Sequence, residues 1–324
     1  GFAGTLAGSV REEQVYVNGE WVTFRTRGGA QVQDALFAPT TKTPYTDEYS
    51  MGYERMVTED ISASIQYTRR RTRDILEDYD LGLYGDTLAG TAYELPLSYF
   101  GYETAPASNY VIATLEGGER DYAGVEVVVT KRRTDDQPFF VLASYTNNNA
   151  EGNSNSDSNA DFQGDVVWLD PRAPGVYGDQ PGNIEHQIKL AGTYYFDNGI
   201  ELGAVYNWNS GYLYSKTSLL YRRHLPLRVE EAYESGGRET RWLDPDSVGS
   251  YSTGSYSTLD VRAKYVLDFK GYQAELFVDV FNLLDDQSPI GEMDLAAGDG
   301  DYTFGQGNQW IEPRALYLGV RMSF

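Results

Sequence analysis

The last eight residues, Tyr317-Leu318-Gly319-Val320-Arg321-Met322-Ser323-Phe324, alternate strictly. Leu318, Val320, Met322 and Phe324 fall on one face of a strand, and Tyr317, Gly319, Arg321 and Ser323 on the other. Such a strand, stopping at an aromatic residue, makes a poor edge for a soluble sheet, because nothing blunts its apolar face. It suits a wall in lipid, where strands pair into a closed barrel and no edge remains.

Bulk hydropathy alone reads as soluble: 41% of residues are hydrophobic and the mean hydropathy is −0.49. No apolar run is long enough for a transmembrane helix. A β-barrel meets lipid with alternate residues only, so low bulk hydropathy does not exclude one. The 27 Tyr suit interfacial girdles, with rings in lipid and hydroxyls among headgroups. A Tyr-rich soluble sandwich is the competing reading of composition. No Cys is present, which excludes disulfides and thiolate metal sites. The two His, His186 and His224, lack ligand spacing. A net charge of −22 argues against a nucleic-acid partner. Gly1-Phe2-Ala3-Gly4 does not begin a signal peptide, so an outer-membrane chain of this sequence is expected to be mature or a fragment.

Strand-period alternation recurs along the chain. In 255–269, Leu259, Val261, Ala263, Tyr265 and Leu267 oppose Asp260, Arg262, Lys264 and Asp268. In 271–284, Ala274, Leu276, Val278 and Val280 oppose Glu275, Phe277, Asp279 and Phe281. Segments 45–57, 59–73, 119–133, 184–196 and 199–211 alternate likewise, while 137–148 is ambiguous in facing because of Phe139-Phe140-Val141-Leu142. With 312–324 these make roughly nine strands, each of bilayer-spanning length when tilted. Residues 109–118 read either as a separate segment or as an extension of 119–133.

Short links near Thr58-Glu59-Asp60, Thr134-Asp135-Asp136, Asp197-Asn198 and Lys270-Gly271 alternate with long ones at 74–118, 149–183, 212–254 and 285–311. Four structureless loops of that size are uncommon in a compact soluble domain. Short periplasmic turns and long extracellular loops are the pattern of outer-membrane barrels, and this overrides composition. Residues 1–44 are expected to form another outer loop, with a hairpin at Gln14–Phe24 about Asn18-Gly19. An odd strand count points to the C-terminal part of a larger barrel.

The ending YLGVRMSF resembles the C-terminal assembly signal of outer-membrane proteins, its places taken by Tyr317, Gly319, Met322 and Phe324. Residues 258–287 resemble the penultimate hairpin of TonB-dependent outer-membrane receptors, with Asp279-Val280-Phe281-Asn282-Leu283-Leu284-Asp285 at the place of their "xVxNLxD" pattern. Gly182–Ser215 is similar to the Oar-like branch of that family, and 117–132 fits its barrel pattern. The resemblance covers roughly 45–324. It implies an all-β transmembrane antiparallel β-barrel, about nine strands of one with roughly 22 or more. It implies a bacterial outer-membrane location and active uptake of a scarce ligand. Implied partners are the bilayer with its lipopolysaccharide, an N-terminal barrel and plug portion, a TonB-type energy coupler acting through that plug, and other outer-membrane proteins. The plug and coupling box have no counterpart in these residues. A structural or adhesive Oar-like barrel and a passive porin-like channel are the alternatives.

Several residues are candidates for chemistry. Arg69, Arg70, Arg71 and Arg73 crowd the upper end of one strand and suit lipopolysaccharide phosphates; the competing reading is a solvated rim paired with nearby acids. Arg222-Arg223-His224 is a weaker case. Asp157, Asp161, Asp165 and Asp170 in one loop, and Glu292, Asp294, Asp299 and Asp301 in another, are oxygen-rich clusters of a kind that can hold Ca²⁺, yet neither has EF-hand spacing; a solvated acidic loop is the competing reading. Asp260, Arg262, Lys264, Glu275 and Asp279, joined by Glu126, Glu185, Lys189 and Glu201, make a mixed-charge lumen wall, suited either to cross-strand pairs or to a passage. No nucleophile motif accompanies either His, so no enzymatic activity and no cofactor are expected.

Overall fold

The computed structural model describes residues 11–17, 20–27, 36–87, 89–90, 94–106, 110–114, 116–153, 172, 176–180, 182–221, 239–243, 248–269, 272–294 and 303–323. Nine long strands form one antiparallel wall. They are β1 (Tyr45–Met56), β2 (Ile61–Arg73), β3 (Glu119–Lys131), β4 (Phe139–Gly152), β5 (His186–Tyr195), β6 (Ile200–Asn209), β7 (Tyr256–Phe269), β8 (Tyr272–Phe281) and β9 (Ala315–Ser323). Each pairs with its neighbour in sequence, from β1 to β9 without a crossover. Among the described residues β1 and β9 pair on one side only.

Register carries the alternation across the sheet. Val141, Gly192, Ala204, Val261, Val280 and Leu316 stand side by side on β4 to β9. So do Phe139, Tyr194, Leu202, Ala263, Val278 and Leu318. Since a slip of one residue would turn every side chain to the other face, these rows fix one apolar face. They also settle β4: Phe139, Val141, Ala143 and Tyr145 join the apolar face, while Phe140, Leu142, Ser144 and Thr146 join the polar one.

The apolar face is uncovered. Leu318 is 73% exposed and Met51 74%, and Val141, Leu190, Leu202, Tyr265 and Leu276 are exposed too. Among the described residues, no buried hydrophobic side chain lies in any of the nine strands. A sheet of this size with no apolar core is not stable in water; it requires lipid against that face. No helix of the described residues is long and apolar enough to cross a membrane, and the strands are the spanning elements.

Links of 57–60, 132–138, 196–199 and 270–271 lie at one end of the wall, and 74–118, 153–185, 210–255 and 282–314 at the other. The long links are not structureless, contrary to the expectation. Leu36–Phe37, Leu76–Asp80 and Tyr110–Thr114 form a three-stranded sheet, in which Leu36–Phe37 runs parallel to Val111–Ile112. This cap holds a core of Ala38, Tyr79, Leu81, Tyr84, Leu95, Phe100, Val111 and Ala113. Two aromatic pairs brace it, Tyr79–Tyr84 with centroids 5.4 Å apart and Tyr99–Phe100 at 5.2 Å. Residues 36–42 therefore join 76–114, where Ala38 is buried and Leu36 packs against the core. Tyr110–Thr114 belongs to the cap and is not an extension of β3. Further hairpins pair Leu213–Tyr214 with Tyr251–Ser252, Thr217–Tyr221 with Glu239–Leu243, and Pro289–Glu292 with Gly307–Trp310. Arg11–Val17 pairs with Glu20–Arg27, Val17 opposite Glu20, as the hairpin reading expects.

Candidate functional site

The polar face of β6 to β9 is a ladder of cross-strand ion pairs. Arg262 grips Asp279 with both Nε and Nη2, the latter 2.7 Å from Oδ2. Lys264 Nζ stands 2.9 Å from Glu201 Oε2, and Arg321 Nη1 is 3.5 Å from Glu275 Oε2. Each pair faces directly across neighbouring strands, the arrangement in which side chains of opposite charge support a sheet. The Arg262 guanidinium also lies 4.9 Å from the centroid of the Phe277 ring. Phe277 in turn covers Gly319, where a Cβ would overlap its ring atoms. Arg262 is more than half exposed while Asp279 is buried, so the guanidinium supplies the counter-charge that the buried carboxylate needs. The row's main effect is to make one face of the wall wet and charged.

Asp260 takes no part in this ladder. It accepts from the main-chain N–H of Asn282, 2.8 Å away, and so belongs to the turn that closes β8. Asn282 has φ 47° and Asp285 φ 56°, conformations that Asn and Asp tolerate better than most residues. The buried Asn282 amide donates to the carbonyls of Asp286 and Glu312, both at 2.9 Å, while its Oδ1 accepts from Asp286 N–H. Asp286 accepts from Ser257 N–H at 2.9 Å and from Ser288. Burial pushes the Asp286 carboxyl up, but the hydrogen bonds from Ser288 and Ser257 outweigh it and hold the group below the usual carboxylate range. Arg314 N–H donates to Asp285. The Asn-Leu-x-Asp pattern thus ties β7, β8 and the approach to β9 into one corner.

The four arginines of β2 separate. Arg69, Arg71 and Arg73 share the apolar-face parity, in register with Ala123, Asp121 and Glu119, while Arg70 faces the other way. Arg70 pairs with Glu48 and lies 5.6 Å from the Tyr122 ring centroid. Arg73 is held by Asp121 at 2.7 Å and Glu119 at 3.0 Å. Arg69 and Arg71 form no ion pair among the described residues and are exposed. They rise above a band bearing Tyr53, Tyr67 and Tyr145. The Tyr145 ring stacks on His186, its hydroxyl 2.9 Å from Nδ1.

Of the terminal residues, Tyr317 and Gly319 lie on the polar face and Met322 on the apolar one; Phe324 lies outside the described residues, as do Asp157, Asp161, Asp165, Asp170, Asp299, Asp301 and Arg222-Arg223-His224. No group of His or acid side chains able to hold a metal occurs among the described residues. Sequence reasoning missed the cap core, whose apolar residues come from segments far apart in the chain. It also missed a ring cluster where the hairpins 213–214/251–252 and 289–292/307–310 meet.

The family model described as "Outer membrane beta barrel domain" matches residues 13–217. No curated protein matches the chain. Among solved structures it is similar to the outer membrane transporter YddB from Escherichia coli, at 14% identity and a TM-score of 0.51, over 88% of this chain and 33% of that one. It is also similar to the ferripyoverdine receptor of Pseudomonas aeruginosa (14% identity, 86% of this chain, 27% of that one, TM-score 0.47) and to the FrpB iron transporter from Neisseria meningitidis (13%, 88%, 32%, 0.47). The chain spans a third or less of these proteins, and at such identities the likeness is one of fold, to the barrel part of TonB-dependent receptors. A wall that runs strand by strand with its apolar side bare, and a family model matching well over half the length, agree: the chain belongs to the outer membrane β-barrel domain family.

Proposed function

We propose that this chain is barrel wall from a TonB-dependent uptake receptor, with its polar face turned to the lumen and its long-loop end outside the cell. The observation that carries the reading is the charged ladder Glu201–Lys264, Arg262–Asp279, Glu275–Arg321 on one face of a wall whose other face is bare and apolar. In a plugged receptor that wet face lies against a plug, and the half-exposed Arg262 and Arg321 remain available to it. The free sides of β1 and β9 accept further strands of the same barrel, as backbone groups in lipid must be paired. The energy coupler acts through the plug. Reconstitution in a planar bilayer of this wall together with the rest of its barrel and the plug portion tests this: a plugged receptor carries no steady current. A steady open current would overturn the reading in favour of a passive channel.

A structural or adhesive barrel is a second reading, favoured by the cap. Its buried core makes a rigid unit at the long-loop end, a form suited to holding a protein or surface partner. Loss of surface attachment on deleting 76–114, with ligand uptake intact, would favour this reading.

On the membrane side, Arg69 and Arg71 suit phosphates of lipopolysaccharide in the outer leaflet, since both guanidiniums are free and stand above a tyrosine band. Replacing both with Ala is expected to reduce retention of phosphorylated lipid A but not of its dephosphorylated form. Arg70→Ala, on the opposite face, is expected to leave retention unchanged; equal loss from Arg70→Ala would remove the assignment.

A further inference from the structure

Two loop hairpins meet at the long-loop end of the wall. Their rings form a triangle: Tyr251–Phe304 centroids are 5.0 Å apart at 83°, Tyr214–Tyr251 5.6 Å at 33°, and Tyr214–Phe304 6.2 Å at 51°. The three rings meet tilted or edge-to-face rather than face to face, and each is only partly buried. The backbones around them are fixed. Thr253 N–H donates to Tyr212 O, and Gly305 N–H donates to Met293 O at 2.8 Å. At Gly211 (φ 93°) a Cβ would overlap the Gly254 main chain, so the two ends of the first hairpin are in direct backbone contact.

Beside the rings lies Glu292, at the end of the second hairpin. Its Oε2 is buried and has no hydrogen-bond partner, and no Lys or Arg among the described residues forms an ion pair with it. Its charge is felt by the tyrosines. Burial first, and then Glu292, push the Tyr212 hydroxyl up to about 12 and raise Tyr214 as well. Burial also raises Glu292 itself. An ionised carboxylate held away from water without a counter-charge is costly, and ring faces attract cations. The net charge of −22 draws cations toward the molecule as a whole.

We infer that Tyr214, Tyr251, Phe304 and Glu292 form a binding site for an alkylammonium group, the rings supplying the faces and Glu292 the counter-charge. The site goes beyond the uptake reading and does not depend on it, since binding at the loops is measured without translocation.

The test is calorimetric titration of the full chain in detergent with choline and with its uncharged isostere 3,3-dimethylbutanol. Choline is expected to bind saturably, and the isostere about ten-fold more weakly or not at all. Glu292→Gln, which keeps shape and removes charge, is expected to weaken choline by about ten-fold. Tyr251→Leu is expected to weaken it too, and Tyr214→Phe to leave it nearly unchanged. The site is overturned if choline does not bind, if charge makes no difference between choline and the isostere, or if Glu292→Gln binds as tightly as the parent. The isostere comparison uses the unaltered protein, so it decides the matter even where a variant fails to assemble.

Discussion

Gly319 illustrates how one residue can be read in two ways. The terminal pattern makes it part of an assembly signal; the packing makes it the floor beneath the Phe277 ring. The two are separable. Gly319→Ala is expected to slow assembly because the ring must move, and the added change Phe277→Leu is expected to restore it, a non-additive pair measured by heat-modifiable gel migration. Failure of rescue would favour recognition over packing. Asn282 carries a larger load, as its buried amide serves three main-chain groups. Asn282→Ala leaves them unsatisfied, at a cost of about 2–4 kcal/mol, read from the urea midpoint for folding into lipid vesicles. Asn282→Asp keeps the acceptor but sets a carboxylate oxygen against the two carbonyls, and is expected to lose at least as much. The sequence motif located this corner; that Asp260, placed by its alternation with the lumen wall, belongs to it depended on the approach of the turn to β7.

Among elements, β7 is the best probe of facing. Val261 stands between Ala204 and Val280 on the apolar side, and Arg262 on the polar side. Val261→Arg is expected to destabilise the folded protein by about 2–4 kcal/mol, whereas Arg262→Val, which puts no charge on the lipid face but leaves the buried Asp279 without its partner, is expected to cost less. A reversed order in vesicle folding would invert the assignment of both faces. The short turn between β1 and β2 offers a pH handle. Asp60 accepts from Thr58 Oγ1 at 2.6 Å and pairs with Lys131 at 2.8 Å. The Lys131 contact, and then Thr58, hold its carboxyl below the ordinary range. A carboxylate depressed on folding adds stability above its unfolded value of about 3.9, and that stability is lost as pH falls through the lower folded value. Asp60→Asn is therefore expected to lower stability at pH 7 and to flatten its acid dependence below about pH 4; an unchanged acid limb would show that Asp60 does not couple to folding.

At the scale of the whole molecule, two kinds of construction coexist. The wall is stabilised by lipid on one side and by ladder hydrogen bonds between strands, and among the described residues none of its strands buries an apolar side chain. The cap is built as a soluble domain is, around Tyr79, Tyr84 and Phe100. Transfer from lipid vesicles to water is thus expected to unfold the wall before the cap. Hydrogen exchange checks this: amides of Tyr110–Thr114 should stay protected after those of Ile200–Asn209 have exchanged. Simultaneous loss would mean that the cap depends on the wall.

What the sequence determines by itself is the wall. Period-two alternation fixes which residues share a face, because a strand has no other way to place them, and the short and long links fix the order and antiparallel sense. That logic reached β2, β7, β8 and β9 residue by residue. It stalled at Phe139-Phe140-Val141-Leu142, where both faces are apolar, and only the register against Leu190 and Gly192 assigned them. Pairing partners lie beyond the reach of alternation: it placed Arg69 to Arg73 at one rim, but only tertiary structure set Arg70 against Glu48, gave Arg73 to Asp121 and left Arg69 and Arg71 without an ion pair among the described residues. The cap and the Glu292 cluster join residues tens of positions apart through loops without periodicity, so their packing is decided in three dimensions alone. The terminal strand stands between the two cases: its alternation announced a lipid face, and the sheet added that its other face carries Arg321 to Glu275 and seats Phe277 on Gly319.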